Sequence, residues 1–419
     1  MAEPADLRSA PRSEDTIRRV DHHDVVIVGG CGHVGLPLGI VLARAGLQVG
    51  LIDVDEARKQ AVRAGRMPFL EHGAEPLLRE TLGSTLHVVD GLDALTDSEH
   101  VVITIGTPID EYLSPRYQPL FDLATEIAPY LRPGHQVVLR STVFPGTTRE
   151  LGRHFASLDV SVHLSYCPER IAQGYAITEL DRLPQIISGL TDEAIDGAFG
   201  LFRRLTDRLL TVVVEEAELA KLFLNSWRYI QFAIANQFYM IAEDRGLDFF
   251  RIHHAMTDGY DRASDFPPPG FTAGPCLLKD TMHLSAFERS RFHLGHAAMV
   301  VNEGLVEFIV DQLSEHHDLR TKTVGILGMT FKREIDDTRD SLAFKLRKLL
   351  TFRGARVLAS DAFVNDPAFV SVEQLVADSD IIVLGAPHEV YRDLDLPAEK
   401  EVVDVWGFFE GRIPSPAEV

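Results

Sequence analysis

The chain has 419 residues, a length sufficient for two or three domains that each bury a core of their own. Its 62 acidic and 41 basic residues give a formal net charge of −21, which argues against a nucleic acid or an anionic membrane as partner. An anionic small ligand is compatible with this charge, because helix N-termini and a few local cations bind phosphate within acidic proteins. The three cysteines are too widely spaced for a disulfide framework and suit a reducing compartment.

Neither of two candidate stretches has the pattern of a targeting or membrane segment. Residues 1–23 are rich in charge, Ala and Pro and lack the apolar core of a signal peptide, so we predict a disordered lead-in. The apolar stretch 290–310 is interrupted by polar residues, among them His296 and Glu303, and does not predict a membrane span. We therefore expect a cytoplasmic protein that makes no contact with a membrane.

Short apolar, β-branched runs alternate with helical stretches at both ends of the chain. The runs cover 25–28, 48–53, 101–105 and 136–139 in the first half, and 323–327, 356–359, 381–384 and 401–405 in the second. Such runs between helices are typical of parallel sheets covered on both faces. The predicted fold class is α/β, with two doubly wound Rossmann-like domains, 24–210 and 319–419, joined by a central helical segment, 211–318.

The middle of the chain has a helical pattern. Residues 215–245 contain no Pro or Gly, carry apolar side chains on most faces and end before Gly246, a common type of helix cap. We expect so long and apolar a helix to be buried between domains or at a subunit interface, which predicts a homodimer or higher homo-oligomer. The stretch 257–280, rich in Pro, Gly and Asp, predicts a loop, and 292–314 predicts a second helix.

A glycine-rich fingerprint directly follows the first predicted strand. Its residues are Gly30, Gly32, His33, Val34 and Gly35, in the pattern G-x-G-x-x-G. The glycines allow a tight turn and the close approach of a pyrophosphate. Asp53, at the end of the next strand, would accept the ribose hydroxyls and repel a 2′-phosphate, so the pattern predicts NAD as the cofactor. The alternative is a glycine-rich turn that binds another ligand.

Cys276 lies in the segment 270–280 with two glycines and two charged residues, Lys279 and Asp280. A simple alcohol dehydrogenase needs no thiol. A thiol beside a nicotinamide can capture an aldehyde as a thiohemiacetal, which donates a second hydride and leaves a thioester. A nearby cation would favour the thiolate. The alternative is a small buried apolar side chain, as most free cysteines are.

Seven stretches carry a family resemblance. They are GCGHVGLP (30–37), GTP (106–108), STVFPGTT (141–148), CPERIAQG (167–174), EAELAKLFLN (216–225), GPCLLKD (274–280) and GMTFKREIDDTRDS (328–341). In this order they resemble the UDP-glucose/GDP-mannose dehydrogenase family, the nucleotide-sugar 6-dehydrogenases. The resemblance implies NAD-dependent, four-electron oxidation of a sugar C6 hydroxyl to the uronic acid. This chain departs from the family at His33, where an aromatic residue is common, and at Pro275, just before the cysteine.

The resemblance implies roles for the catalytic residues. Cys276 is the nucleophile, Lys221 and Asn225 stabilise the oxyanion at C6, and Glu169 and Asp280 serve in thioester hydrolysis. Thr142 handles the cofactor and a water or the reacting hydroxyl, and Thr107 binds the cofactor. Independently of the family, Lys221 and Asn225 are four apart and share one helix face. The alternative for Lys221 is an ordinary helix pair with Glu218.

The resemblance also implies the substrate contacts. They are Glu169, Arg170, Lys221, Asn225, Gly270, Lys279, Lys332 and Arg339, with Arg262 reaching into the neighbouring subunit's site. Two signals about the sugar conflict. Pro168-Glu169-Arg170 resembles the branch that acts on UDP-N-acetyl-hexosamines, whereas Lys279-Asp280 resembles the UDP-glucose and GDP-mannose enzymes. We expect a UDP-sugar, either UDP-glucose or a UDP-N-acetyl-hexosamine.

Two other functions agree less well with these residues. A two-electron hydroxy-acid-type dehydrogenase shares the first domain but gives no reason for a second α/β domain or a loop cysteine. A non-catalytic nucleotide-sugar-binding protein conflicts with the retention of every catalytic residue named above. No metal site is predicted, because the adjacent histidine pairs point in different directions and no cysteine cluster accompanies them.

Overall fold

The computed structural model describes residues 22–107, 110, 116–289 and 291–409. The N-terminal sheet has six strands, β1 (Val25–Val28), β2 (Val49–Ile52), β3 (Leu86–Val88), β4 (His100–Ile103), β5 (His135–Leu139) and β6 (Val162–Tyr166). Its helices are α1 (Gly35–Arg44), α2 (Glu56–Arg63), α3 (Ala74–Thr81), α4 (Gln118–Ile127) and α5 (Thr147–Ser157). The strand order is β3-β2-β1-β4-β5-β6, and every pair is parallel.

This strand order is that of a dinucleotide-binding sheet, with the topological switch between β1 and β4. All four residues of β1 and all five of β5 are buried, as a parallel sheet covered on both faces requires. The chain then continues through α6 (Ala176–Glu179), β7 (Gln185–Ile187), α7 (Asp192–Phe202) and β8 (Leu209–Thr211), with β7 and β8 paired in parallel. The sequence pattern missed β3, β6, β7 and β8.

Four helices form the central region: α8 (Val214–Glu243), α9 (Phe249–Thr257), α10 (Leu277–Phe287) and α11 (His293–His316). The two predicted helices, 215–245 and 292–314, are therefore confirmed within two residues at each end. The prediction of a loop through residue 280 is wrong in its last four residues, because α10 begins directly after Cys276. The apolar residues that follow the cysteine allow this segment to pack as a helix against α8.

The long helix α8 is not enclosed within one chain. One face packs inside, whereas Phe223 and Trp227 are 53% and 55% exposed, and Ile234, Phe238 and Ile241 are exposed along the same helix. Burial of the whole helix is therefore wrong for the single chain. None of the helices in the described residues has the combination of length and apolarity that a bilayer crossing requires.

The C-terminal sheet has four strands, β9 (Thr323–Leu327), β10 (Arg356–Ser360), β11 (Ile381–Leu384) and β12 (Glu401–Val403), with helices α12 (Leu342–Phe352) and α13 (Val372–Asp378). Its order is β10-β9-β11-β12, and all pairs are parallel. Parallel Rossmann-like sheets at both ends of the chain and helices between them confirm the predicted fold class. Of the predicted lead-in, residues 1–21 lie outside the described part, and His23 is buried.

The loop that precedes Cys276 is packed against the C-terminal domain. Gly270 faces Trp406, where an added Cβ would lie 2.3 Å from the ring, and Gly274 faces Phe331, where it would lie 2.4 Å away. Gly274 also has φ +99°, a conformation that other residues rarely adopt. The C-terminal domain therefore fixes the path of the chain immediately before the cysteine.

Candidate active site

The glycine turn after β1 has the shape of a pyrophosphate cradle. A Cβ at Gly30 would lie 2.7 Å from the carbonyl oxygen of Ile27, and one at Gly35 would lie 2.4 Å from that of Gly29. Both positions therefore exclude any side chain. A Cβ at Gly32 would lie 3.3 Å from the carbonyl oxygen of Gly29 and 3.9 Å from Arg58 Nη1, so this position is less crowded than the other two. This division of roles is what the fingerprint predicts.

The N-terminus of α1 continues the cradle. Val34 occupies the cap position and supplies no side-chain hydrogen bond, and the first turn holds no acidic residue, so the positive end of the helix dipole faces the turn without a competing anion. Asp53 Oδ2 accepts from the Cys31 N–H at 2.9 Å, and its Oδ1 accepts from the Asp55 N–H at 3.0 Å. The carboxylate remains half-buried, and these residues fit NAD.

Arg58 is a cofactor-loop residue that the sequence pattern missed. Its Nη1 lies 3.9 Å from the position a Cβ would take at Gly32, and its Nε lies 3.3 Å from Asp55 Oδ2. The signal in the sequence is weak, because an arginine five residues after the strand-ending acid is also an ordinary first-turn helix residue. Its position adds a positive charge beside a loop that receives a pyrophosphate.

His33 points toward the C-terminal domain. Its ring packs on Phe69 with centroids 4.0 Å apart, and its Nε2 lies 3.9 Å from Asp337 Oδ2. Burial, followed by the positive charge of Arg339, lowers the pKa of His33 to about 4, so the imidazole is neutral at pH 7. The fingerprint of this chain therefore carries a neutral polar ring between the two domains.

Cys276 is the N-cap residue of α10, and its side chain is solvent-accessible. Dense protein nonetheless surrounds the sulfur, and this desolvation, together with the charge of Asp280, raises the pKa of the thiol. Lys279, Lys221 and Arg339 lower it by smaller amounts. The predicted cations are thus close to the sulfur, but they do not favour a resting thiolate, and the sequence expectation on this point is wrong.

Five predicted residues from four separate segments form one connected network. Asn225 Nδ2 donates to Asp280 Oδ2 at 2.6 Å, and Lys279 Nζ lies 3.3 Å from Asp280 Oδ1. Lys279 Nζ also donates to the carbonyl oxygen of Thr107 at 3.3 Å, and Thr107 Oγ1 donates to the carbonyl oxygen of Thr142 at 2.7 Å. The N-terminal sheet, α8 and α10 therefore meet at the cysteine. Pro108, the last residue of the GTP motif, lies outside the described residues.

Lys221 is not paired with Glu218. The Glu218 carboxylate is buried and accepts from the N–H groups of Gly146 and Thr148 at 2.6 and 2.8 Å, and from Thr148 Oγ1 at 2.7 Å. It thereby holds the N-terminus of α5. Within the described part of the chain, Lys221 forms no ion pair. It lies one helical turn before Asn225 on the same face of α8, and its positive charge acts on the Cys276 thiol. The alternative of an ordinary helix pair is therefore wrong.

Glu169 is anchored in a buried ion pair with Arg140, a residue the sequence pattern missed. Its Oε1 accepts from the N–H groups of Arg170 and Ile171 at 2.6 and 3.1 Å. Burial alone would raise the pKa of Glu169, but the Arg140 guanidinium and the backbone donors hold it below its usual range. Glu169 is therefore ionised, and its role as acid or base stays a prediction.

Two cations of the C-terminal domain reach the same cleft. Lys332 Nζ donates to the carbonyl oxygen of Gln173 at 2.6 Å, and Arg339 Nη2 donates to Asp337 Oδ2 at 2.6 Å. Both cations interact electrostatically with Cys276. They belong to the loop after β9, so the second sheet contributes positive charge near the cysteine. Their contacts with the nucleotide-sugar stay predictions.

Three of the predicted substrate residues lie apart from this network. Arg170 is half-buried, and its guanidinium donates to the carbonyl oxygen of Pro184. Gly270 is buried under Trp406. Arg262 is exposed and makes no side-chain hydrogen bond or ion pair within the residues that the structure describes. Their substrate contacts stay predictions.

Three sequence models of one family match the chain in order. The UDP-glucose/GDP-mannose dehydrogenase NAD binding domain matches residues 24–206, the central domain matches 215–304, and the UDP binding domain matches 325–412. The chain belongs to the UDP-glucose/GDP-mannose dehydrogenase family. It is an NAD-dependent oxidoreductase that acts on a nucleotide-sugar at C6, which excludes the hydroxy-acid dehydrogenase and the non-catalytic protein.

Relatives of this dehydrogenase differ in their substrates. The UDP-N-acetyl-D-mannosamine dehydrogenase of Methanocaldococcus jannaschii is 27% identical over 380 residues, 88% of this chain and 87% of that protein. The GDP-mannose 6-dehydrogenase of Pseudomonas aeruginosa is 27% identical over 437 residues, 94% and 99% of the two chains. The structure of a UDP-glucose dehydrogenase from Pyrobaculum islandicum superposes with a TM-score of 0.86 at 27% identity, over 94% of this chain and 96% of that one.

His283 is a further residue of this dehydrogenase that the sequence pattern missed. It is buried one turn beyond Asp280 on α10, and its ring lies 5.7 Å from that of Phe144. Neither ring nitrogen has a hydrogen-bond partner among the described residues, and burial lowers its pKa to about 4. The spacing of Cys276, Asp280 and His283 along one helix face could have revealed it, had 277–287 been predicted as a helix.

Proposed function

We propose that this enzyme oxidises the C6 hydroxyl of a UDP-sugar to the uronic acid in two steps, through a thiohemiacetal and a thioester on Cys276. The observation that carries the proposal is the accessible Cys276 sulfur at the start of α10, beside the hydrogen-bonded Asn225, Asp280 and Lys279. A dehydrogenase that released the aldehyde would not need a cysteine beside these three side chains.

The glycine turn at Gly30, Gly32 and Gly35, with Asp53, would hold NAD⁺, and one NAD⁺ molecule for each of the two oxidations would supply the acceptor for a hydride from C6. Lys221 and Asn225 hold the developing alkoxide at C6 by charge and hydrogen bonding. Asn225 is oriented for this role, because one of its amide N–H groups is already held by Asp280 at 2.6 Å. The aldehyde then stays beside the cysteine. The Cys276 sulfur bonds to C6, the C=O double bond becomes the C–O single bond of the thiohemiacetal, and the S–H proton passes by way of Asp280 to that oxygen.

Asp280 is the group best suited to move protons here. Its carboxylate is buried, and Oδ1 has no hydrogen-bond partner within the described residues although Lys279 Nζ lies 3.3 Å away. Because the pKa of the thiol is raised, attack requires a nearby acceptor for the S–H proton, and Asp280 is one helical turn away. In hydrolysis a water attacks the thioester carbon, the C–S bond breaks and Cys276 regains a proton. Asp280 accepts the proton of that water, and the ionised Glu169 is a second carboxylate that can act as a base in this step.

A UDP-sugar is favoured over other nucleotide-sugars by the match of residues 325–412 to a UDP binding domain. Lys332 and Arg339 supply the charge that a diphosphate needs, and an arginine fork suits phosphate oxygens. The sugar is UDP-glucose or a UDP-N-acetyl-hexosamine. The relative named for UDP-N-acetyl-D-mannosamine and the solved structure named for UDP-glucose are each 27% identical to this chain, so sequence identity does not separate the two sugars.

We also propose that the exposed apolar face of α8 is covered by a second copy of the chain. Phe223, Trp227, Ile234, Phe238 and Ile241 form a stripe of helical spacing that one chain leaves in solvent. Arg262, exposed and without a partner in the described residues, is then free to reach the neighbouring site. Light scattering on wild type and Trp227→Glu tests this: we expect a dimer and a monomer respectively, and a wild-type monomer would contradict it.

The stoichiometry of NADH formation tests the reaction. Each of UDP-glucose, UDP-N-acetylmannosamine, UDP-N-acetylglucosamine and GDP-mannose is consumed to completion, and NADH is counted per sugar. Two NADH per sugar with one of the UDP-sugars is the expected result. One NADH per sugar would mean that the aldehyde leaves and that Cys276 does not capture it. Turnover of GDP-mannose alone would contradict the UDP assignment and leave the chemistry intact.

A further inference from the structure

His33 faces Asp337 of the C-terminal domain with a ring nitrogen. A phenylalanine at this position would have no polar atom for such a contact. Its Nε2 lies 3.9 Å from Asp337 Oδ2, and the two side chains are only 18% and 6% exposed. This distance is about 1 Å longer than an N–H···O hydrogen bond. A hydrogen bond between these two side chains would require them to approach each other by that amount.

Asp337 is the centre of the contacts on the other side. Arg339 donates to it through Nη2 at 2.6 Å and through Nε at 3.0 Å to each carboxylate oxygen. Gln173 Nε2, from the N-terminal domain, donates to Asp337 Oδ2 at 2.9 Å. Asp337 thus holds the guanidinium of Arg339, which is half-exposed and interacts electrostatically with Cys276. Any shift of Asp337 is transmitted to the cation that faces the substrate cleft.

We propose that His33, Asp337 and Arg339 form a coupling chain through which the cofactor and the nucleotide of the sugar substrate bind cooperatively. A ligand on the glycine turn fixes His33, His33 hydrogen-bonds Asp337, and Asp337 sets the guanidinium of Arg339 for the diphosphate. By thermodynamic reciprocity the nucleotide tightens cofactor binding by the same factor. Asp337 is a positioning residue in this scheme. The identity of the nucleotide rests on the proposed function; the coupling chain does not.

A second interdomain contact provides a matched control. His72 Nε2 lies 2.9 Å from the carbonyl oxygen of Glu334, and the His72 ring packs near Tyr175 with centroids 5.1 Å apart. This histidine joins the same two domains, stacks on an aromatic ring as His33 does, and contacts backbone, not the Asp337 carboxylate. Its loss should weaken domain docking without interrupting the coupling chain.

The experiment is a calorimetric titration of the full-length protein with UDP, with and without saturating NAD⁺. For wild type we expect NAD⁺ to tighten UDP binding by about fivefold, the lower end of common coupling factors. His33→Phe keeps a ring against Phe69 and removes the nitrogen, so UDP should bind equally with and without NAD⁺. His72→Phe should retain the wild-type factor. Asp337→Asn should weaken UDP binding even without NAD⁺ and abolish the coupling.

Three results would overturn the coupling chain: no effect of NAD⁺ on UDP binding in wild type, an undiminished effect in His33→Phe, or an equal loss in His72→Phe. The last would mean that domain docking in general carries the coupling. If wild type binds GDP and not UDP, the proposed nucleotide is wrong, and the same titrations with GDP test the coupling chain. Binding of neither nucleotide would overturn the proposed function and the coupling chain together.

Discussion

Both parallel sheets have an aspartate that hydrogen-bonds the turn after the neighbouring strand, but the surroundings of this aspartate differ between the two domains. Asp53 follows β2, and Asp361 follows β10 in the corresponding position. Each accepts a backbone hydrogen bond from the turn after the neighbouring strand: Asp53 from Cys31 at 2.9 Å, and Asp361 from Met329 at 2.6 Å. The repeated strand–turn–helix pattern in the sequence therefore corresponds to a repeated hydrogen-bond arrangement.

The surroundings of the two aspartates differ. Asp53 is half-buried and keeps room for a ribose, whereas the side chains of Asp361 and His388 are completely buried, with His388 Nε2 3.3 Å from Asp361 Oδ2. The His388 ring packs in turn against Phe363. The aspartate of the C-terminal domain is thus enclosed by side chains, whereas its counterpart beside the cofactor turn is not. The loop after β9 carries Lys332 and Arg339.

Removing the thiol between the two halves should have the largest effect on activity. With Cys276→Ser we expect uronic acid formation to fall by at least roughly a thousandfold, because a hydroxyl is a far weaker nucleophile at neutral pH. Affinities for NAD⁺ and UDP should stay within about twofold, since both half-sites are intact. Product is measured by chromatography and binding by calorimetry. Normal uronic acid formation by this variant would remove the thiol from the mechanism.

The buried aspartate of the C-terminal half should matter for stability. Asp361→Asn leaves backbone donors and His388 with a weaker partner, and we expect the free energy of unfolding to fall by about 3 kcal/mol. NAD⁺ affinity of the folded protein should not change. Denaturant unfolding gives the first quantity and calorimetry the second. A variant as stable as wild type would mean that the Asp361–His388 pair is not structural.

The matched change in the N-terminal half should give the opposite pattern. With Asp53→Asn we expect NAD⁺ binding to weaken roughly tenfold, because a charged acceptor for the ribose is lost. UDP affinity measured without NAD⁺ should be unchanged, and so should stability within about 1 kcal/mol. If both aspartates behaved alike in these two assays, the division of roles drawn here would be wrong.

Acid should expose a smaller difference, carried by buried histidines. Burial lowers the pKa of His135 to about 4, and it does the same for His33 and for His283 of the central region. Because these values lie below the unfolded pKa of about 6.5, the unfolded chain binds more protons as the pH falls. The stabilisation is present above pH 6.5 and is lost between pH 6.5 and 4, by about 1 kcal/mol per histidine at pH 5.5.

Variants of single histidines isolate this effect. His135→Gln should show a smaller loss of unfolding free energy between pH 7 and 5.5 than wild type does. His254→Gln, at a position whose side chain is 76% exposed, should retain the wild-type loss. An equal loss in all three proteins would show that carboxylates, not buried histidines, govern the acid response.

Local sequence signals predicted most of the scaffold. The strands predicted at 25–28, 323–327 and 381–384 have the same bounds in the structure. Buried parallel strands consist of continuous apolar residues, which makes them recognisable in a sequence. Gly30 and Gly35 were recognisable because no side chain fits there. The start of α10 was missed, because Gly and Pro before Cys276 resemble a loop and the packing against α8 that stabilises the helix is not local.

The sequence by itself determined the two doubly wound domains, the cofactor turn and the set of residue types gathered at Cys276, because each depends on neighbours within a few positions. The tertiary structure decided which charges meet. Glu169 pairs with Arg140, and Glu218 binds Thr148 and not Lys221. Desolvation has a larger effect on the pKa of the Cys276 thiol than the nearby cations have. His33 lies close to Asp337, which is 304 positions away in the chain. Electrostatic interactions depend on distance and burial, and neither can be read from spacing along the chain.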